Sequence, residues 1–320
     1  EARGCMAPAR AAQRPRQRLA LPRRQPPRKR FVFVVLFLLL LLPAELLAGN
    51  GGARGPAQRP WEGFLRLIRE LRWRRAIEAR VLRVLRRDMR RHARRQRGGN
   101  ARPFVTLAFA QTLNGAIASK QGQPSAISSR ASLVLTHGVR SVHDAVLVGI
   151  GTAVADNPRL TVRHWRCPPD QQPRGVVMDS TGRRLPQDHR LHKAIHITSA
   201  PPPRSAAPAL RPALHIRAAA ATGRGVDLSD ALRRMHRAGV RSVMVEGGGE
   251  TLRAFLAAEE YDVVCITIAP MLFRDGYVPL ARLELRGSAA LEYVGCVECP
   301  RGSGVGGRDI TLLYRRRPQK

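Results

Sequence analysis

From Arg102 onward, short apolar runs alternate with stretches of helical periodicity. The runs at 104–110, 145–148, 175–178, 194–198, 242–245 and 263–269 read as strands. The segments 129–140, 228–238 and 251–258 place apolar residues at helical spacing. Such alternation predicts an α/β domain over 101–320, with a largely parallel central sheet flanked by helices. Residues 200–213, rich in Pro, Ala and Arg, read as a loop, and no internal repeat is found.

The first hundred residues have a different texture. Residues 1–30 are rich in Arg, Pro and Gln, which predicts disorder. Phe31 to Leu42 are twelve apolar residues after Arg28-Lys29-Arg30, and the run fades by Ala48. Twelve suits a signal-peptide core better than a bilayer span. A signal anchor or a misassigned first exon are the alternatives, and import into an organelle is a further use of such a leader. A Gly/Pro/Arg linker carries the chain to position 60. From Trp61 to Arg97, residues Trp61, Phe64, Leu65, Ile68, Leu71, Val81, Leu85 and Met89 keep roughly helical spacing against a face of Arg. The amphipathic helix expected over 61–100 suits an anionic membrane surface or nucleic acid. It equally suits plain packing ahead of the domain.

Charge sharpens that division. The chain carries +33 over 320 residues. Residues 1–100 hold 26 Lys/Arg against 6 Asp/Glu, so the basic excess is densest outside the α/β region. Five scattered cysteines do not make a disulfide scaffold. Cys296-x-x-Cys299 has no second pair, so it reads as two ordinary thiols and no metal site is expected.

Chemistry concentrates at strand ends. In D-A-V-L-V-G-I-G-T-A-V-A-D-N-P-R-L-T-V-R, from Asp144 to Arg163, a buried strand meets two glycines. Thr152, Asp156, an Asn157-Pro158 turn and Arg163 follow. A strand, a glycine turn and polar groups in order build a site at a strand end. In V-M-V-E-G-G-G-E-T-L a strand ends at Glu246, and Gly247, Gly248 and Gly249 open a helix whose backbone N–H groups can face an anion. It is not the G-x-G-x-x-G fingerprint. A-Q-T-L-N-G-A-I-A sets Gln111 beside a turn, and T-H-G-V-R ends a helix in Arg140. Arg140 and Arg163 suit a shared grip on a phosphate. His137 suits packing or capping better than catalysis, and Asp179-Ser180 is one more strand-end polar pair.

In this order the elements resemble the riboflavin-pathway reductase family, which includes the C-terminal domain of the bacterial deaminase-reductase and stand-alone fungal and archaeal relatives. The resemblance covers about 102–315. It rests on A-Q-T-L-N-G, T-H-G-V-R…H-D-A-V-L-V-G-I-G-T-A-V-A-D-N-P-R-L-T-V-R, V-V-M-D-S and V-E-G-G-G-E-T. It implies a dihydrofolate-reductase-like α/β fold, a cytoplasmic homodimer and NADPH as cofactor. By position, Gln111, Thr152, Asp156, Ser180 and Gly247–Gly249 would meet NADPH. Arg140, Leu160, Arg163 and Glu246 would face the phosphorylated substrate. Bacterial fused enzymes often have Lys where Ala108 stands and Trp near Ala126, so those contacts do not transfer. Asn114 and Asn157 replace Asp common in relatives.

The H-x-E and P-C-x-x-C pattern of the deaminase half does not occur. The implied substrate therefore keeps its 2-amino group: 2,5-diamino-6-ribosylamino-4(3H)-pyrimidinone 5′-phosphate. Hydride transfer to C1′ would give the ribitylamino product, with Glu246 and Asp156 as candidate proton carriers. Two other readings stand beside it. One is a 5-amino-6-(5-phosphoribosylamino)uracil reductase acting after deamination. The other is an Arg-rich nucleic-acid or membrane-surface binding protein with a degenerate reductase domain.

Overall fold

A computed structural model describes residues 60–96, 100–123, 125–180, 185, 188–191, 193–199, 214–221, 225–282, 290–300 and 308–317. The leader, its apolar run and the 200–213 loop lie outside the described residues. Residues 59–320 form one unit. Among the described residues, no helix is long and apolar enough to cross a membrane.

Nine strands form one sheet: β1 (Phe104–Thr112), β2 (Ala145–Gly149), β3 (Arg174–Asp179), β4 (Ile195–Thr198), β5 (Leu214–Arg217), β6 (Ser242–Gly247), β7 (Val263–Ala269), β8 (Leu291–Glu298) and β9 (Ile310–Arg316). Their order is β5-β4-β3-β2-β6-β1-β7-β9-β8. Seven strands run parallel; β9 pairs antiparallel with β7, and β8 with β9. All six predicted strands are present. β5, β8 and β9 are additions, since β5 is four residues long and β8 lies on an edge with little burial. Weak burial leaves little hydrophobic signature to read.

Alternate side chains of the central strands feed two cores. Phe104, Ala108, Val146, Val148 and Met244 face one. Val105, Leu107, Leu147, Val243 and Val245 face the other. The second core is covered by α5 (Leu228–Arg237) and α6 (Gly249–Ala257), through Leu232, Met235, Leu252 and Phe255. The first is covered by α3 (Arg130–Arg140) and by the Arg-rich helix. That helix runs as α1 (Pro60–Ile77), a π turn (Glu78–Leu82) and α2 (Arg83–Arg95). Trp73, Ile77, Val81, Leu82 and Leu85 are buried, and Trp73 Nε1 donates to Ala131 O (3.2 Å). Each such aliphatic burial contributes about 1.5–3 kcal/mol. Asp88, also buried, bonds Arg315 of β9 (2.8 Å). The Arg-rich helix is therefore built into the sheet's own core.

The start of α3 is held firmly. Ser129 Oγ accepts from Ser132 N (3.3 Å), and buried Asp309 accepts from Ser129 N (2.6 Å) and Ser132 Oγ (2.6 Å). A carboxylate at a helix N-terminus satisfies free N–H groups and the dipole together. The far end of this helix carries His137 and Arg140.

Candidate active site

The C-terminal ends of β1, β2 and β6 lie side by side, with β6 inserted between two strands that precede it in the chain. Crossovers leave in different directions there, and a crevice opens. It is a cleft of about 810 Å³. Phe109 and Ala110 border it from β1, Gly149, Thr152 and Asp156 from the second crossover, and Glu246, Gly248 and Gly249 from the third. Segment 121–128 forms another wall, with Ala126 in it. A smaller pocket of about 180 Å³ shares Phe109, Ala110, Ser128 and Glu246 with the cleft, and Ala108 lines it.

The stretch after Gly149 is a short helix, α4 (Ile150–Asp156), not the extended polar turn its glycines suggest. α4 and α6 start beside each other, and their glycines interlock. A Cβ on Gly149 would collide with Thr251 Oγ1. A Cβ on Gly248 would lie 2.5 Å from Thr152 Oγ1. Gly248 also sits at φ +74 and Gly247 at φ +98, which favours glycine. Thr152 Oγ1 donates to Gly247 O (3.3 Å). The result is bare backbone at the start of α6, facing the cleft.

Arg140 and Glu246 meet in a bidentate pair, with Nε to Oε1 at 2.5 Å and Nη2 to Oε2 at 2.6 Å. Arg140 Nη1 donates to Thr161 O (2.9 Å). Burial works against this guanidinium's charge, but Glu246 outweighs it and raises its pKa. All three guanidinium nitrogens are thus engaged. These bonds use three of its five N–H donors. Arg140 orients Glu246, and Arg163 is the exposed cation. Arg163 Nη1 reaches only Thr161 (3.2 Å to Oγ1). Partial burial, then Arg140, Arg159 and Arg190, lower its pKa, so excess positive charge gathers around it.

The Thr161–Arg163 strap is held from one turn of α3. Arg140 binds Thr161 O, and His137 Nδ1 accepts from Arg163 N (2.8 Å). His137 is fully buried, and burial followed by Arg140, Arg163 and His164 pushes its pKa down to about 3. The neutral ring then carries its proton on Nε2. His143 is structural: Nδ1 donates to Val139 O (2.8 Å), and Nε2 accepts from Thr106 Oγ1 (2.9 Å). Burial lowers its pKa to about 4.

Asn157 ends α4 at φ 40, and Leu160 follows at φ 52. Asn tolerates the left-handed region; for Leu it costs about 1–2 kcal/mol. Burial of the Leu160 side chain to 2% exposure offsets that strain. This side chain therefore lies in the core instead of facing a substrate, and only its backbone is available to one. Thr152, Asp156, Glu246, Gly248 and Gly249 line the cleft. Gln111, half-buried on β1, Ser180, exposed after β3, Gly247, Arg140, Leu160 and Arg163 stand outside its lining.

Three carboxyl groups border the cleft. Glu246 is paired with Arg140. Glu250 accepts from Tyr277 Oη (3.1 Å) and pairs with Arg253 (2.5 Å). Burial raises the pKa of Asp156. Tyr277 escaped sequence reasoning. It packs 2.6 Å from where a Gly249 Cβ would stand, and exchanges backbone bonds with Ile117 and Ala118 (2.9 and 2.8 Å). A lone Tyr in a loop carries no local signal of such distant contacts. Among the described residues, no cluster of three or more His, Cys, Asp or Glu could hold a metal ion.

Residues 103–299 match the family model described as the RibD C-terminal domain. The chain is 37% identical over 175 residues to the 2,5-diamino-6-ribosylamino-4(3H)-pyrimidinone 5′-phosphate reductase of Methanothermobacter thermautotrophicus, covering 53% of this chain and 79% of that protein. It is 32% identical over 202 residues to the protein of the same name from Debaryomyces hansenii, covering 55% and 78%. Acinetobacter baumannii RibD has a similar solved structure: TM-score 0.56 at 21% identity, covering 68% of this chain and 59% of that one.

Proposed function

We propose, since this chain belongs to the RibD C-terminal domain family, that it reduces the ribosylamino side chain of 2,5-diamino-6-ribosylamino-4(3H)-pyrimidinone 5′-phosphate to the ribitylamino form, with NADPH as reductant. The observation that carries the proposal is one cleft lined by Gly248 and Gly249 at the start of α6 and by Glu246, whose carboxylate Arg140 holds.

An anionic dinucleotide fits this cleft. Gly248 and Gly249 line the cleft at the start of α6, where N–H groups favour phosphate. Ion pairs of Glu246 with Arg140 and of Glu250 with Arg253 offset two of the three carboxylates that border the cleft. Thr152, Asp156 and Gly247–Gly249 would hold the cofactor, with Gln111 and Ser180 at its periphery. When bound, NADPH supplies the hydride.

The chain's own residues bind, orient and move protons. Arg163, an exposed cation near the likewise exposed Arg159 and Arg190, takes the substrate phosphate. Arg140 sets the plane of the Glu246 carboxylate, which accepts hydrogen bonds from the substrate. Asp156, which lines the cleft and whose pKa is raised by partial desolvation, is the candidate to give a proton to the heteroatom left by reduction at C1′. The strap carrying Leu160 shapes the substrate side. A homodimer is part of this reading.

Reductant oxidation with the diaminopyrimidinone phosphate and with its deaminated uracil counterpart tests the activity. Turnover of the first is expected to dominate; faster turnover of the second would move the assignment to the later substrate. No oxidation with either removes the proposal. Arg163→Ala should raise substrate KM strongly and leave NADPH affinity nearly intact.

A further inference from the structure

The reductase reading leaves the outer face of the N-terminal helix without a role. Residues 60–96 hold thirteen arginines against four carboxylates. Three of those carboxylates are committed: Glu70 to Arg74, Glu78 to Arg86, and buried Asp88 to Arg315. Arg69, Arg72, Arg80, Arg83, Arg90 and Arg94 are all exposed, and none of them meets a carboxylate among the described residues. They recur at intervals of three, four, seven and eight residues along the helix. Trp73, Ile77, Val81 and Leu85 are buried and anchor the helix to the sheet. From Arg69 to Arg94 the row spans about 38 Å at about 1.5 Å per residue.

We propose that this row of arginines is a docking surface for nucleic acid, engaged through the phosphate backbone without sequence preference. Charge complementarity commits the occupant. A rigid row of planar, permanently charged donors matches a polymer with a phosphate at regular spacing. A lipid surface fits less well. An interfacial helix needs an apolar face to insert, and from Trp73 onward the large apolar side chains of this helix are turned into the protein core. Among the described residues, exposed large apolar side chains occur on it at Phe64, Leu65, Leu67 and Leu71, all ahead of Trp73.

The test uses the full chain, purified free of nucleic acid, and a short mixed-sequence RNA duplex followed by fluorescence anisotropy. Engaging about five phosphates predicts an affinity loss of about 500-fold between about 50 and 200 mM salt. A quadruple variant, Arg80→Gln, Arg83→Gln, Arg90→Gln and Arg94→Gln, should bind at least about 100-fold more weakly at the lowest salt. Its log–log salt slope should be shallower by about 3–4. The matching Arg→Lys variant should keep most of the binding, and both should melt at the parent temperature. Unchanged affinity and slope in the Gln variant would overturn the proposal, because any binding would then reside in other basic segments. Tighter binding of the parent to phosphatidylserine vesicles than to RNA, lost in the Gln variant, would overturn it in favour of a membrane surface.

Discussion

Replacing Glu246 with Gln leaves a nearly buried guanidinium without its counter-charge. Arg140 is 8% exposed, and two of its three nitrogens bond that carboxylate. Removing one partner of a buried ion pair costs about 3–5 kcal/mol. Glu246 keeps 15% of its side chain exposed and borders the cleft, so water reaches the orphaned charge. The remaining bond to Thr161 O also persists. These two facts reduce the expected loss to about 2–3 kcal/mol. For a unit of this size, that lowers the melting temperature by about 5–10 °C. Thermal and urea unfolding of Glu246→Gln, Arg140→Met and the double variant Arg140→Met/Glu246→Leu measure it. The double variant should lose less than the sum of the singles by about 2 kcal/mol, because it leaves no unpaired charge. A Glu246→Gln protein as stable as its parent, or singles that simply add, would refute the claim that these groups depend on each other.

Three other expectations follow from the same geometry. His137 and His143 have folded pKa values of about 3 and 4 against an ordinary 6.5, so below pH 6.5 the unfolded chain takes up protons that the folded chain refuses. Stability is then full above that pH and falls below it, by about 2 kcal/mol per histidine at about pH 5; an NMR titration placing either ring near 6.5 contradicts this. Gly149→Ala should destabilise by about 1–3 kcal/mol through collision with Thr251 Oγ1, and Thr251→Ala should recover much of the loss; failure of the second change to help would show that the two crossovers do not interlock there. Ile77→Ala, in the Arg-rich helix, should cost about 2–5 kcal/mol in urea unfolding, whereas a neutral result would detach that helix from the core.

The amino-acid sequence by itself determined the alternation of strands and helices, because burial on both faces of a parallel sheet demands near-continuous apolar runs. It also marked the segments holding Thr152 and Asp156 and holding Glu246, Gly248 and Gly249 as separate strand-end candidates, because a strand, a glycine turn and polar residues are local features; the fold brings the two segments to one cleft. Three matters were decided only by tertiary structure. Arg140 reads as a phosphate ligand, yet it also bonds a carboxylate 106 positions away. Leu160 reads as a site residue until its left-handed backbone turns its side chain into the core. Gly149 reads as a strand-end turn glycine and Gly248 as one that faces an anion, yet each also makes room for a threonine from the neighbouring crossover. The reason is the same in each case. Periodicity and turn chemistry act over a few residues, whereas pairing, burial and collision depend on which distant segments the sheet order brings together.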